Sequence, residues 1–110
     1  MASVTRHCQL VGVRPELRDE YLRLHEAVWP GVEATIRGCN IRNYTIFMRG
    51  DLLVAYFEYD GDDYAADLRK MAADPITRTW WAHTDPCQAA LPDAAADSLW
   101  APATEVWHLT

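Results

Sequence analysis

Two runs of β-branched and aromatic residues, Ile41 to Met48 and Leu52 to Tyr59, flank Arg49-Gly50-Asp51 and commit the middle of the chain to a β-hairpin. Both strands are apolar on both faces. Alternation puts Tyr44, Ile46 and Met48 on one side and Ile41, Thr45 and Phe47 on the other. In the second strand Leu52, Val54 and Tyr56 oppose Leu53, Ala55 and Phe57. A sheet built on this hairpin therefore needs cover on each face.

The flanking segments supply one such cover. Val4 to Val13 alternates without a breaker before Gly12 and reads as a strand. Pro15 suits the first turn of a helix, and Glu16, Asp19 and Glu20 set negative charge near its positive end. Leu17, Tyr21, Leu24, His25 and Val28 recur at helical spacing along one face, so Tyr21 and His25 belong to the inner stripe. Pro30 breaks that pattern, leaves Trp29 at a bend, and restarts a short helix that runs to Gly38, a left-handed C-cap.

After the hairpin, Asp62 or Asp63 caps a helix carrying Tyr64, Leu68 and Met71. Asp74-Pro75 is the cap and first turn of another, which passes through Trp80 and Trp81 and ends at Pro86. Ala89 to Ala103 has little periodicity and reads as a long loop able to cover a site, and Thr104 to Leu109 reads as a last strand. The order β-α-β-β-α-β predicts an α+β fold: a ferredoxin-like antiparallel sheet with helices on one face. The other face has no helix left to cover it, which predicts a homodimer through sheet faces or edges.

Residues 1–110 are expected to form a single domain, since a chain of this length buries roughly two thirds of its unfolded surface without disulfides or metals. Its longest apolar run, Leu52 to Phe57, is far short of a membrane span, and the N-terminal residues carry no apolar leader. Cys8, Cys39 and Cys87 are odd in number and form no Cys-x-x-Cys pair, as expected of reduced thiols in a cytoplasm. A formal charge of −6 with no basic run argues against nucleic acid as a partner. Five Trp and five Tyr point instead to core packing or to a small ligand with apolar faces, such as a sugar.

His25 is the leading candidate for chemistry, because imidazole gives and takes protons near neutral pH. Taken alone, a histidine on a helix is more often a satisfied core residue. Tyr21 one turn earlier puts a second polar tip on the same apolar stripe, and buried polar groups need partners. Adjacent helical residues diverge by about 100°, so Trp80 and Trp81 cannot both point into the core, and one is expected to line a groove. Trp29 either walls the same cavity or anchors the helix corner. His7, His83 and His108 lack metal-ligand spacing, and the Asp60 to Asp63 cluster lacks the oxygen-ligand pattern of a calcium loop. No metal site, phosphate-cradling loop or nucleophile elbow is recognisable.

Taken in order, Tyr21-x-x-x-His25-x-x-x-Trp29-Pro30, Asn43-Tyr44, Trp80-Trp81 and Glu105-Val106-Trp107-His108-Leu109 resemble the L-rhamnose mutarotase family over nearly the whole chain. The resemblance implies a ferredoxin-like dimeric α/β barrel that interconverts the α and β anomers of a 6-deoxy-L-sugar with no cofactor. It implies His25 as proton donor and Tyr21, Tyr44, Trp80 and Trp81 as sugar contacts. Gly31 departs from the family, which commonly has Glu after Trp-Pro, and that departure bears on sugar preference. Two alternatives stay open: a haem-binding dimeric α/β barrel with His25 as axial ligand, and a non-catalytic sugar-binding module.

Overall fold

The structure, a computed structural model, describes residues 3–96 and 98–110. Met1 and Ala2 of the N-terminal stretch, and Asp97 of the expected loop, lie outside the described residues. The chain runs β1 (Thr5–Val13), a 3-10 turn (Pro15–Leu17), α1 (Arg18–His25), α2 (Pro30–Gly38), β2 (Ile41–Arg49) and β3 (Leu52–Tyr59). It continues through α3 (Tyr64–Ala73), α4 (Pro75–Thr84), a second 3-10 turn (Asp85–Cys87), β4 (Gln88–Ala89) and β5 (Ala101–Ala103).

The sheet is antiparallel with order β2-β3-β1-β4, and β5 pairs β1 further along the edge that β4 occupies. This is an α+β fold with the ferredoxin-like strand order that the sequence predicts. Val11, Val13, Leu53, Ala55, Phe57 and Tyr59 form the inner face and are buried under the helices. Tyr21 and Cys87 join one half of this core, while Cys39, Ile41 and Met71 join the other.

Local chemistry explains the joints. Asp63 caps α3 by accepting from Ala66 N at 3.0 Å, and Asp74 caps α4 by accepting from Thr77 N at 2.9 Å and Thr77 Oγ1 at 2.8 Å. The hairpin closes over Gly50-Asp51, with Gly50 at φ 57°, a conformation glycine takes without steric cost.

Four expectations need correction. Pro15 opens a 3-10 turn and α1 ends at His25, so Leu17 and Val28 flank the helix, and its own inward residues are Tyr21, Leu24 and His25. Gly38 is the last helical residue of α2, and the left-handed residue is Asn40 at φ 65°, whose Nδ2 donates to Asp67 Oδ2 at 3.0 Å. Ile41 faces inward opposite Tyr59, because a bulge between Arg42 and Thr45, with Asn43 at φ 53°, reverses the alternation beyond it.

The fourth correction concerns the last strand. It is not Thr104–Leu109 but Ala101–Ala103, which pairs with β1 through Cys8↔Ala103. Continuing that register would set Val106 opposite Thr5, the first residue of β1, so the segment runs off the end of the sheet. Arg6 Nε holds Glu105 Oε1 at 2.6 Å, and beyond it Val106, Trp107 and Leu109 are 94%, 76% and 74% exposed.

Candidate functional site

The short α1 delivers Tyr21 and His25 from consecutive turns into the space between the helices and the inner face of the sheet. His25 Nδ1 donates to the Tyr21 carbonyl oxygen at 2.9 Å. A carbonyl oxygen only accepts, so Nδ1 carries a proton and Nε2 is the nitrogen left for a ligand. The Tyr21 ring lies 4.3 Å from the imidazole, tilted by 33°, and the Trp80 ring meets the imidazole edge-on at 5.4 Å. Two aromatic neighbours and one backbone bond thus fix the ring plane.

Trp80 is itself held from behind by Trp29, edge-on at 5.2 Å. Trp29 does not line the cavity; it anchors the helix corner and buttresses Trp80. Trp80 is 5% exposed and Trp81 is half-buried against the core half formed by Cys39, Ile41, Phe57, Tyr59 and Met71, yet each contributes to the cavity wall. From the sheet, Tyr44 stacks on Phe57 with centroids 5.5 Å apart and planes within 9°. The bulge at Asn43 precedes Tyr44 and leaves it on the inner face.

These walls enclose one open cleft of about 1250 Å³, lined by Tyr21, His25, Tyr44, Trp80 and Trp81, the five residues singled out from the sequence. Ligand sites usually run from about 300 to 1,000 Å³, so a single small ligand would occupy one end of this space. Four further lining residues have no sequence signal: Gln9 on β1, Asp85 after α4, Gln88 on β4 and Trp100 in the loop before β5. Leu99 and Trp100, at the end of the long loop, also pack on the core and line the cleft.

Burial raises the Tyr21 phenol well above the ordinary tyrosine value, against the Gln88 amide, which lowers it. The Tyr44 ring is 38% exposed at the cleft mouth, but its hydroxyl is desolvated and pushed up to about 12, with Tyr64 adding to the rise and Gln9 opposing it. Both phenols therefore stay neutral and serve as hydrogen-bond donors and acceptors. Partial desolvation also raises the Asp85 carboxyl, although the residue as a whole is exposed. Cys39 and Cys87 are buried and held as thiols by desolvation.

Outside the cleft, His7 stacks against both Phe57 at 5.0 Å and Tyr64 at 4.4 Å, which also stack on each other. His83 meets Trp29 edge-on at 5.7 Å. Among the described residues no three His, Cys, Asp or Glu side chains converge as metal ligands. Gly31 is not part of the cleft wall: a Cβ there would lie 3.0 to 3.1 Å from Ile76 side-chain carbons, so this glycine sets how closely α2 approaches α4.

The sequence model for L-rhamnose mutarotase matches residues 6–109. An L-rhamnose mutarotase of Burkholderia cenocepacia is 35% identical over 83 residues, covering 74% of this chain and 77% of the relative. One of Tolumonas auensis is 30% identical over 96 residues, covering 86% and 89%. Among solved structures, an L-rhamnose mutarotase of Formosa agariphila superposes with a TM-score of 0.75 at 19% identity, covering 96% of this chain and 99% of that one. Tetracenomycin F2 cyclase of Streptomyces glaucescens superposes at 0.65 with 14% identity and the same coverage. These two likenesses establish a shared fold, and the haem-binding alternative is not favoured.

Proposed function

The chain belongs to the L-rhamnose mutarotase family, carbohydrate isomerases that interconvert anomers, and on that premise we propose that it opens and recloses a 6-deoxy-L-sugar ring, L-rhamnose before L-fucose, through His25. The observation that carries this reading is the bond from His25 Nδ1 to the Tyr21 carbonyl, which leaves Nε2 free in the cleft beside a neutral phenol and an indole.

Ring opening moves one proton off the anomeric hydroxyl and one onto the ring oxygen; closure on the opposite face of the carbonyl reverses both. Nε2 in its unprotonated form takes the first proton, and in its protonated form supplies the second. The Tyr21 hydroxyl, neutral at physiological pH, orients the sugar or relays through a bound water. Mutarotation already proceeds in water, so positioning one acid–base group against a held substrate is a sufficient contribution. Trp80, Trp81 and Tyr44 contribute flat apolar surface to the C–H faces of the sugar, and the C6 methyl suits such a wall better than a hydroxymethyl.

A second copy of the chain completes the assembly in this reading. The outer face of the hairpin keeps Phe47 59% exposed, and Val106, Trp107 and Leu109 project beyond the sheet; both are apolar surfaces of the kind a homodimer buries. The proposed setting is the cytoplasm, where the three free thiols stay reduced. Among the described residues no helix is long and apolar enough to cross a membrane, and the charge of −6 disfavours nucleic acid.

The test is saturation of one anomeric proton of L-rhamnose, and then of L-fucose, with and without the protein. Transfer to the other anomer that requires the protein is expected, stronger for L-rhamnose. Binding without transfer would make the chain a sugar-binding module instead.

A further inference from the structure

Gln88 lies where the chain leaves α4 and rejoins the sheet, paired with Val13 of β1. It is 5% exposed and lines the cleft. Its Oε1 has no hydrogen-bond partner among the described residues, the one buried side-chain oxygen or nitrogen there in that condition. Its amide sits beside the Tyr21 hydroxyl. Tyr21 in turn touches His25, so Gln88, Tyr21 and His25 form a row along one wall. A buried carboxamide oxygen is costly when unpartnered, and an apolar side chain of the same length would fill this place without that cost. The polar group is explained if something entering the cleft supplies a donor.

Resting on the mutarotase reading above, we propose that Gln88 is a specificity-determining residue, whose Oε1 accepts a hydrogen bond from one ring hydroxyl of the sugar while its amide steadies Tyr21. An acceptor selects for a donor: a hydroxyl satisfies it, whereas a C–H or an ether oxygen at the same sugar position does not. Gln88 thus reads the sugar at a position removed from the anomeric centre. His25 does the proton transfer, and Gln88 fixes which face and which substitution pattern reaches it.

The experiment measures anomer exchange by the wild-type protein and Gln88→Met on L-rhamnose and on analogues lacking each non-anomeric ring hydroxyl in turn. The wild type is expected to lose about tenfold or more in kcat/KM on one analogue. Gln88→Met should lose a similar factor on L-rhamnose, mainly through KM, and show no further loss on that analogue. An equal loss on every sugar would reduce Gln88 to a structural support for Tyr21, and no loss would remove it altogether. If Gln88→Met does not fold, the wild-type series alone still decides: indifference to all the missing hydroxyls overturns the proposal. If the wild type exchanges no sugar, the mutarotase reading fails separately, and binding of the same series, followed by line broadening, then decides whether Gln88 selects a hydroxyl.

Discussion

A backbone carbonyl never donates a hydrogen bond, so the bond from His25 to Tyr21 across one helical turn fixes which imidazole nitrogen is available, without any partner from another element. What the rest of the protein adds is ring orientation, and Trp80 does most of that. Because Trp80 is nearly fully buried between Trp29 and His25, Trp80→Ala should cost about 3 kcal/mol or more of stability. Half-buried Trp81, replaced by Ala, should cost less stability and more sugar affinity. Denaturant midpoints and a sugar titration on both variants check this, and equal stability losses would contradict it. Tyr21 and His25 were legible in the sequence because helical spacing alone brings them to one face, and the Trp pair because two adjacent helical residues diverge and cannot both enter the core. Gln88 was not, since a lone glutamine in a two-residue strand has no periodicity to declare its direction.

Among the elements, those started by a side-chain cap were the most legible. Asp74 was readable because an acceptor followed by Pro has few other uses, and the cap of α3 was narrowed to Asp62 or Asp63, of which the structure uses Asp63. Asp74 is held below the usual carboxylate range by the Thr77 backbone N–H and then the Thr77 hydroxyl, and Asp67 by the Tyr59 phenol and then Asn40. A carboxyl whose folded value is depressed stabilises the fold above its unfolded value of about 3.9 and loses that contribution as pH falls through the folded value. The thermal midpoint should therefore drop as pH is lowered below about 4, and Asp74→Asn, which keeps an acceptor but does not titrate, should flatten part of that drop.

The junction of α2 and α4 gives another prediction at this scale. Gly31→Ala should stay within about 1 kcal/mol of neutral, because half-exposed Ile76 can yield to the new Cβ, and should leave the preference for L-rhamnose over L-fucose unchanged. A changed sugar ratio would show that this junction reaches the cleft. The bulge at Asn43 was illegible because the sequence gives alternation but not where the alternation slips, and Ile41 was assigned to the wrong face for that reason. Thr104–Leu109 carries strand-like residues, but composition does not reveal that the partner strand has already ended.

For the whole molecule, the described residues set helices on one face of the sheet only, and the C-terminal segment holds apolar side chains in the open. The proposed second copy would cover both surfaces. Sedimentation should give twice the chain mass, and a chain ending at Ala103 should sediment as a monomer or expose surface that aggregates; a monomer at every concentration of the intact chain would contradict the pairing. The proposed second layer rests on a hairpin apolar on both sides, and one chain's sequence carries no register between two copies that would give the geometry of pairing. The most direct test of the proposed chemistry compares the wild type with His25→Gln, reading anomer exchange of L-rhamnose and sugar binding in the same samples. Protein-dependent exchange that falls at least about 100-fold in His25→Gln, with binding retained, is the predicted result; exchange in His25→Gln at the wild-type rate would contradict it.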